Sequence, residues 1–173
     1  MAMRLCAASV LLLMLSSTAA ATQNPSVTKL FDEFGLFGTW ATDCNRAPAV
    51  DNPYATVIRP TGTGPVIEKD DAGPSAYVNR YTIVSAKRLT ADTLSVTTVY
   101  RVGKQEKQVQ DQIWFVRDGS WRTLFNQPKG ETALVKDGNV VGSGIKTPIL
   151  HRCDAASLKR PKALLSRTPR FPG

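Results

Sequence analysis

Few residues in this chain could carry out acid, base or metal chemistry, and their spacing argues against most of it. His151 is the single histidine, so any Ser-His-Asp or Cys-His system would have to use it. A lone imidazole two residues before a cysteine brings no nucleophile or acid partner with it, and a structural or surface role is expected. Zinc needs three or four Cys, His or acidic ligands converging on one point, and no such spacing occurs. Asp70-Asp71 offers two adjacent carboxylates. Neighbours on a strand point to opposite faces, and the nearby Gly73-Pro74 reads as a turn, so this pair is expected to be solvated. Calcium would need further oxygen ligands at regular spacing. Asp111 is different, because it falls in step with Val109, Ile113 and Phe115. If that face points inward, its carboxylate requires an arginine or a ligand; in the other register it lies at a strand end or outside. No catalytic set, metal or cofactor is expected.

Cys44 and Cys153 are the remaining chemical pair. Cys6 lies in a leader-like stretch: Arg4, then an apolar run from Leu5 to Leu15, then small residues up to Ala21. That is the pattern of a cleaved secretory signal over residues 1–21, and the run is short of the ~20 residues a membrane span needs. Export to the periplasm or beyond is therefore expected. Two cysteines left in an oxidising compartment default to a disulfide. Closing a loop of about a hundred residues stabilises by about 4–5 kcal/mol at most.

The charge is unevenly placed. The chain has 22 Lys and Arg against 14 Asp and Glu. Arg4 belongs to the leader, and Lys159, Arg160, Lys162, Arg167 and Arg170 follow Cys153. With Asp154 assigned to the tail, residues 22–153 hold 16 basic and 13 acidic residues, a net charge of +3. The basic character is in large part a property of the tail, which argues against nucleic acid as a partner of the folded body. The tail, residues 154–173, carries three prolines and little apolar periodicity and is expected to be disordered. Contact with anionic surfaces or simple solvation are its two readings.

The elements that must position these residues are mostly strands. Val27, Leu30, Phe31 and Phe34 form one helical stripe after Asn24-Pro25, closed by Gly35. From Gly38 onward, short β-rich runs alternate with turns. Thr93 to Val102 places Leu94, Val96, Thr98 and Tyr100 on one face. Asp118-Gly119 and Asp137-Gly138 are two-residue hairpin turns. Pro148 to Cys153 is the last strand, and Gly38 to Cys44 the first. A Cys44–Cys153 bridge sets first and last strands side by side, which makes the sheet a closed, all-β, antiparallel up-and-down barrel of about eight strands.

The helix, the Gly38-x-Trp40 strand, the following meander and the late Arg152 together resemble the first structural motif of lipocalins and the wider calycin superfamily. The resemblance implies that Arg152 packs over Trp40 and closes one barrel end. Gly38 to Cys44 with Leu150-His151-Arg152-Cys153 is also similar to small exported proteins of rhizobia-like bacteria, which bring no mechanism with them.

Two functions follow as expectations. The first is non-catalytic binding of a small apolar or amphipathic ligand, with Val96, Tyr100, Asp111, Ile113 and Phe115 as lining. The second is a monomeric protein-binding module, such as an inhibitor of a secreted hydrolase, that uses the loops Arg46 to Pro53 and Pro60 to Pro65. Tyr77, Tyr81, Tyr100, Trp114, Phe115, Trp121 and Phe125 could line a pocket or fill the barrel outright.

Overall fold

The computed structural model of the chain describes residues 25–74, 76, 78–101 and 107–158. The expected signal peptide, the Gly103-Lys104 turn and most of the basic tail lie outside these residues.

A nine-residue helix, α1 (Pro25–Glu33), leads the fold. Its stripe is real: Val27 and Phe31 are fully buried, with Leu30 and Phe34 packed against the same core. The helix ends in a Schellman turn. Gly35 takes φ 61°, its N–H reaches the Asp32 carbonyl, and the Leu36 N–H reaches that of Phe31. Leu36, just past the cap, is buried with the stripe.

Ten strands follow: β1 (Gly38–Ala41), β2 (Tyr54–Ile58), β3 (Ile67–Asp71), β4 (Val78–Thr90), β5 (Thr93–Arg101), β6 (Lys107–Arg117), β7 (Ser120–Pro128), β8 (Val135–Lys136), β9 (Asn139–Val140) and β10 (Leu150–Cys153). All adjacent pairs are antiparallel. β10 pairs with β1 on one side and with β7 on the other. Eight strands thus close into a barrel, and the β8–β9 hairpin is appended to β7. The two Asp-Gly turns behave as expected: Asp118 and Gly119 have φ 49° and 70°, Asp137 and Gly138 52° and 70°. Positive φ at both central positions marks a type I′ turn, whose twist matches the flanking strands. Register shifts interrupt β4–β5 and β6–β7, the bulges that let long strands coil around a small barrel.

Cys44 and Cys153 are bonded, with Cα atoms 5.4 Å apart and a sequence separation of 109. The chain continues past Cys153 into one helical turn, α2 (Ala155–Leu158), within the segment expected to be disordered.

At the α1 end the barrel is filled. Trp114 packs at a tilt against Trp121 at 4.7 Å, Trp121 meets Trp40 edge-on at 5.9 Å, and Phe31 abuts Trp114 at 5.8 Å. The Trp40 indole N–H donates to the Leu36 carbonyl at 2.8 Å, so its one polar atom is satisfied in the core. Val57, Ile83, Leu94 and Val96 complete the cluster. Arg152 lies across from Trp40 in the β1–β10 ladder. Its guanidinium donates to the carbonyls of Phe37 (3.0 Å) and Gly35 (3.4 Å). Arg152 thereby ties β10 to the α1–β1 connection, and Gly38, at φ 130°, holds a backbone conformation that favours glycine.

Candidate functional site

Moving from the α1 end towards the other, the interior changes from apolar to polar, and register explains how. Val57 on β2 pairs with Glu68 on β3, Glu68 with Tyr81 on β4, and Tyr81 with Tyr100 on β5. One step along, Ala55 pairs with Asp70 and Asp70 with Asn79. Cross-strand partners share a face. Ala55 and Val57 are core residues, so Glu68, Asp70, Asn79, Tyr81 and Tyr100 face inward with them.

Glu68 is only 5% exposed, and its Oε2 has no hydrogen-bond partner. Burial drives its carboxyl well above the usual range, and the neighbouring Asp70 charge adds to this. Asp70 is half-buried, and desolvation lifts it to about 6. Tyr81 is pushed upward by burial first, then by the charges of Asp70 and Glu68. Its hydroxyl accepts from the Asn79 amide at 3.1 Å, and its ring lies 5.2 Å from that of Tyr100. Two carboxylates and two phenols therefore share one wall of the interior.

The facing wall is built of amides. On β6, Gln110 (3% exposed) and Gln112 (7%) are buried. Gln112 accepts from the Trp114 indole N–H at 2.7 Å and donates to Thr98 and Gln110 at 3.4 Å. Asn126 on β7 is its register partner, and its Oδ1 is buried without a partner. The Tyr100 hydroxyl donates to Gln108 Oε1, and the Gln108 amide to Glu131.

The residues expected to line a ligand are dispersed. Val96 faces inward but is fully buried in the packed cluster. Tyr100 lies on the polar wall. Asp111, Ile113 and Phe115 are not interior residues: the buried positions of β6 are Gln110, Gln112, Trp114 and Val116, which puts the other three on the outer face. Asp111 is exposed and accepts from the Thr97 hydroxyl at 2.8 Å. Its period matched Ile113 and Phe115 correctly, but the apolar-looking face is the outer one, and the core face carries two glutamines. The Asp70-Asp71 pair also departs from a solvated turn. β3 runs through both residues, turning Asp70 inward and leaving Asp71 to pair with Lys69 at 3.5 Å and to accept from the Gly73 N–H. The alternation Glu68-Lys69-Asp70-Asp71 carried the signal, and Gly73-Pro74 is the true end of the run. His151 is exposed on β10, its Nδ1 3.4 Å from Ser120 Oγ.

The loop from residue 43 to 53 is ordered by one buried side chain. Asn52, fully buried, donates to the carbonyls of Asp43, Arg46 and Ala47 and accepts from the Asp43 N–H. Tyr54 donates to the Arg46 and Cys44 carbonyls. Val50 stands at the tip, 74% exposed. Elsewhere, a hollow of about 450 Å³ runs over the outer side of β4–β6, between Val78, Arg80, Val84, Val99 and Lys107, with Tyr100 at its edge.

No family model matches this chain, and no curated protein or solved structure matches it significantly. No group of three His, Cys, Asp or Glu among the described residues is placed to hold a metal ion. No helix among them is long and apolar enough to cross a membrane.

Proposed function

We propose that this is an exported, lipocalin-like carrier that binds a small amphipathic ligand in the polar half of its barrel, without chemistry. The observation that carries this reading is Glu68: a carboxyl nineteen-twentieths buried, aimed into the barrel, with an unpartnered oxygen. A buried polar group without a partner costs about 1–3 kcal/mol, and a bound ligand offsets that cost. The packed tryptophans fill the α1 end, so the ligand's polar group reaches the Glu68 wall from the opposite end. Its apolar part rests on Tyr81 and Tyr100. This moves the site away from Ile113 and Phe115.

Native mass spectrometry on protein purified from its exporting host tests the reading. A non-covalent adduct of small-molecule mass is expected, lost in Glu68→Leu. A bare mass for the wild-type protein counts against it.

The loop at residues 43–53 favours a second reading, a protein-binding module that presents Val50 to an apolar pocket of a secreted hydrolase. Asn52 fixes the loop before any partner arrives, which lowers the ordering cost of binding. Capture of such a hydrolase that survives Glu68→Leu and fails with Val50→Asp would favour it.

A further inference from the structure

We infer that the interior site selects a small organic cation, with a protonated amine set between the Glu68 and Asp70 carboxylates and its carbon skeleton against the Tyr81–Tyr100 ring pair. This inference rests on the carrier reading and names its ligand class.

The charge balance of the inward-facing positions leads to it. Glu68 and Asp70 both point inward from β3. From β2 they meet Ala55 and Val57, which cannot titrate; from β4, Asn79 and Tyr81; from β5, Tyr100. β6 presents Gln108, Gln110 and Gln112, and β7 presents Asn126. Glu131, bonded to Gln108, is exposed beyond the end of β7 and does not belong to this wall. No lysine or arginine among the described residues lies on these inward positions. Lys69 is turned outward and engaged by Asp71, and Arg80 is exposed. A wall of acids without its own cation repels an anion and leaves a neutral ligand facing an uncompensated charge. An ammonium group supplies the missing charge and donates to the unpartnered Oε2 of Glu68. Tyrosine faces add cation–π attraction, which favours an organic cation over a hydrated metal ion.

Binding of a cation here must compete with protons. Asp70, lifted to about 6 by burial, takes up a proton between neutral and mildly acidic pH, and burial raises the Glu68 carboxyl above its usual range in the same direction. Cation affinity therefore falls as pH drops.

The test is calorimetric titration of the oxidised protein at pH 7.5 with three matched probes: phenethylamine, 2-phenylethanol and 3-phenylpropionate. The amine is expected to bind about tenfold or more tighter than the alcohol, the range of a charge-assisted hydrogen bond. The preference is expected to shrink at pH 5 and to vanish in Glu68→Gln/Asp70→Asn, whose fold is checked by near-UV circular dichroism. Equal affinity for amine and alcohol, or a preference that survives the double substitution, overturns the cation inference while leaving the carrier reading standing. If none of the three binds, the native adduct decides: an amine supports the inference and a neutral or anionic adduct overturns it. With no binding and no adduct, both readings fall.

Discussion

Replacing Asp70 by asparagine should make the protein more stable at neutral pH, because the native fold holds this carboxyl in the wrong solvent. The sign follows from linkage. In the unfolded chain Asp70 loses its proton near its ordinary value of 3.8; in the barrel it keeps it until about 6. Between these values the native state binds more protons than the unfolded state, so stability falls as pH rises. The displacement corresponds to about 3 kcal/mol, present in full below the lower value and lost above the higher one. Glu68 acts in the same direction. The surface carboxylates Asp32 and Asp51 act oppositely: their arginine partners Arg59 and Arg46 hold them below the usual range, and their contribution is lost only as the solution becomes strongly acid. Urea unfolding from pH 4 to 8, with the disulfide intact, measures the effect. Wild-type stability should decline from pH 4 to about 7 and then level off. Asp70→Asn should flatten most of that slope and exceed wild type at pH 8 by up to about 3 kcal/mol, a sizeable fraction of a small domain's total. A wild-type profile flat over this range, or an asparagine variant no more stable at pH 8, would refute the reasoning that Asp70 is desolvated without a cation.

Three other perturbations have defined outcomes. Cys44→Ser/Cys153→Ser should lower the unfolding free energy by up to about 5 kcal/mol, the chain-entropy value for so long a loop, read as a lower urea midpoint. Trp114→Ala removes the ring shared by Phe31 and Trp121 and should cost about 3–5 kcal/mol by the same assay. Asn52→Ala leaves the Asp43, Arg46 and Ala47 carbonyls without their donor; a loss of about 1–3 kcal/mol is expected, with faster proteolysis confined to residues 43–53.

The barrel was legible in the sequence because its determinants are local or covalent. Asp-Gly turns set two hairpins, period-2 alternation marked β5, and the cysteine pair joined the ends. The lipocalin resemblance pointed to Arg152 and Trp40 together, and the two are register partners across β1 and β10. The polar site was not, because pattern reading assigns apolar residues to the inside. On β6 that rule chose Ile113 and Phe115, whereas the interior face holds Gln110 and Gln112, satisfied by Thr98 and Trp114. On β3 the acids suggested a turn, and only pairing with β2 and β4 shows that Asp70 points inward. A sequence carries no cost for a buried carboxylate; three-dimensional register does.

The last strand has a consequence for how the chain is made. β10 is four residues long, yet it covers the open edges of both β1 and β7. A nascent chain that has not reached Leu150 has every other wall of the barrel and two bare sheet edges, which template pairing with other chains. Closure must also join residues at opposite ends of the domain, a topology that folds slowly. Translation that halts before Leu150 would yield a sticky, edge-exposed sheet instead of a slightly shorter barrel, so the hazardous interval in this protein's life is the one before β10 is made.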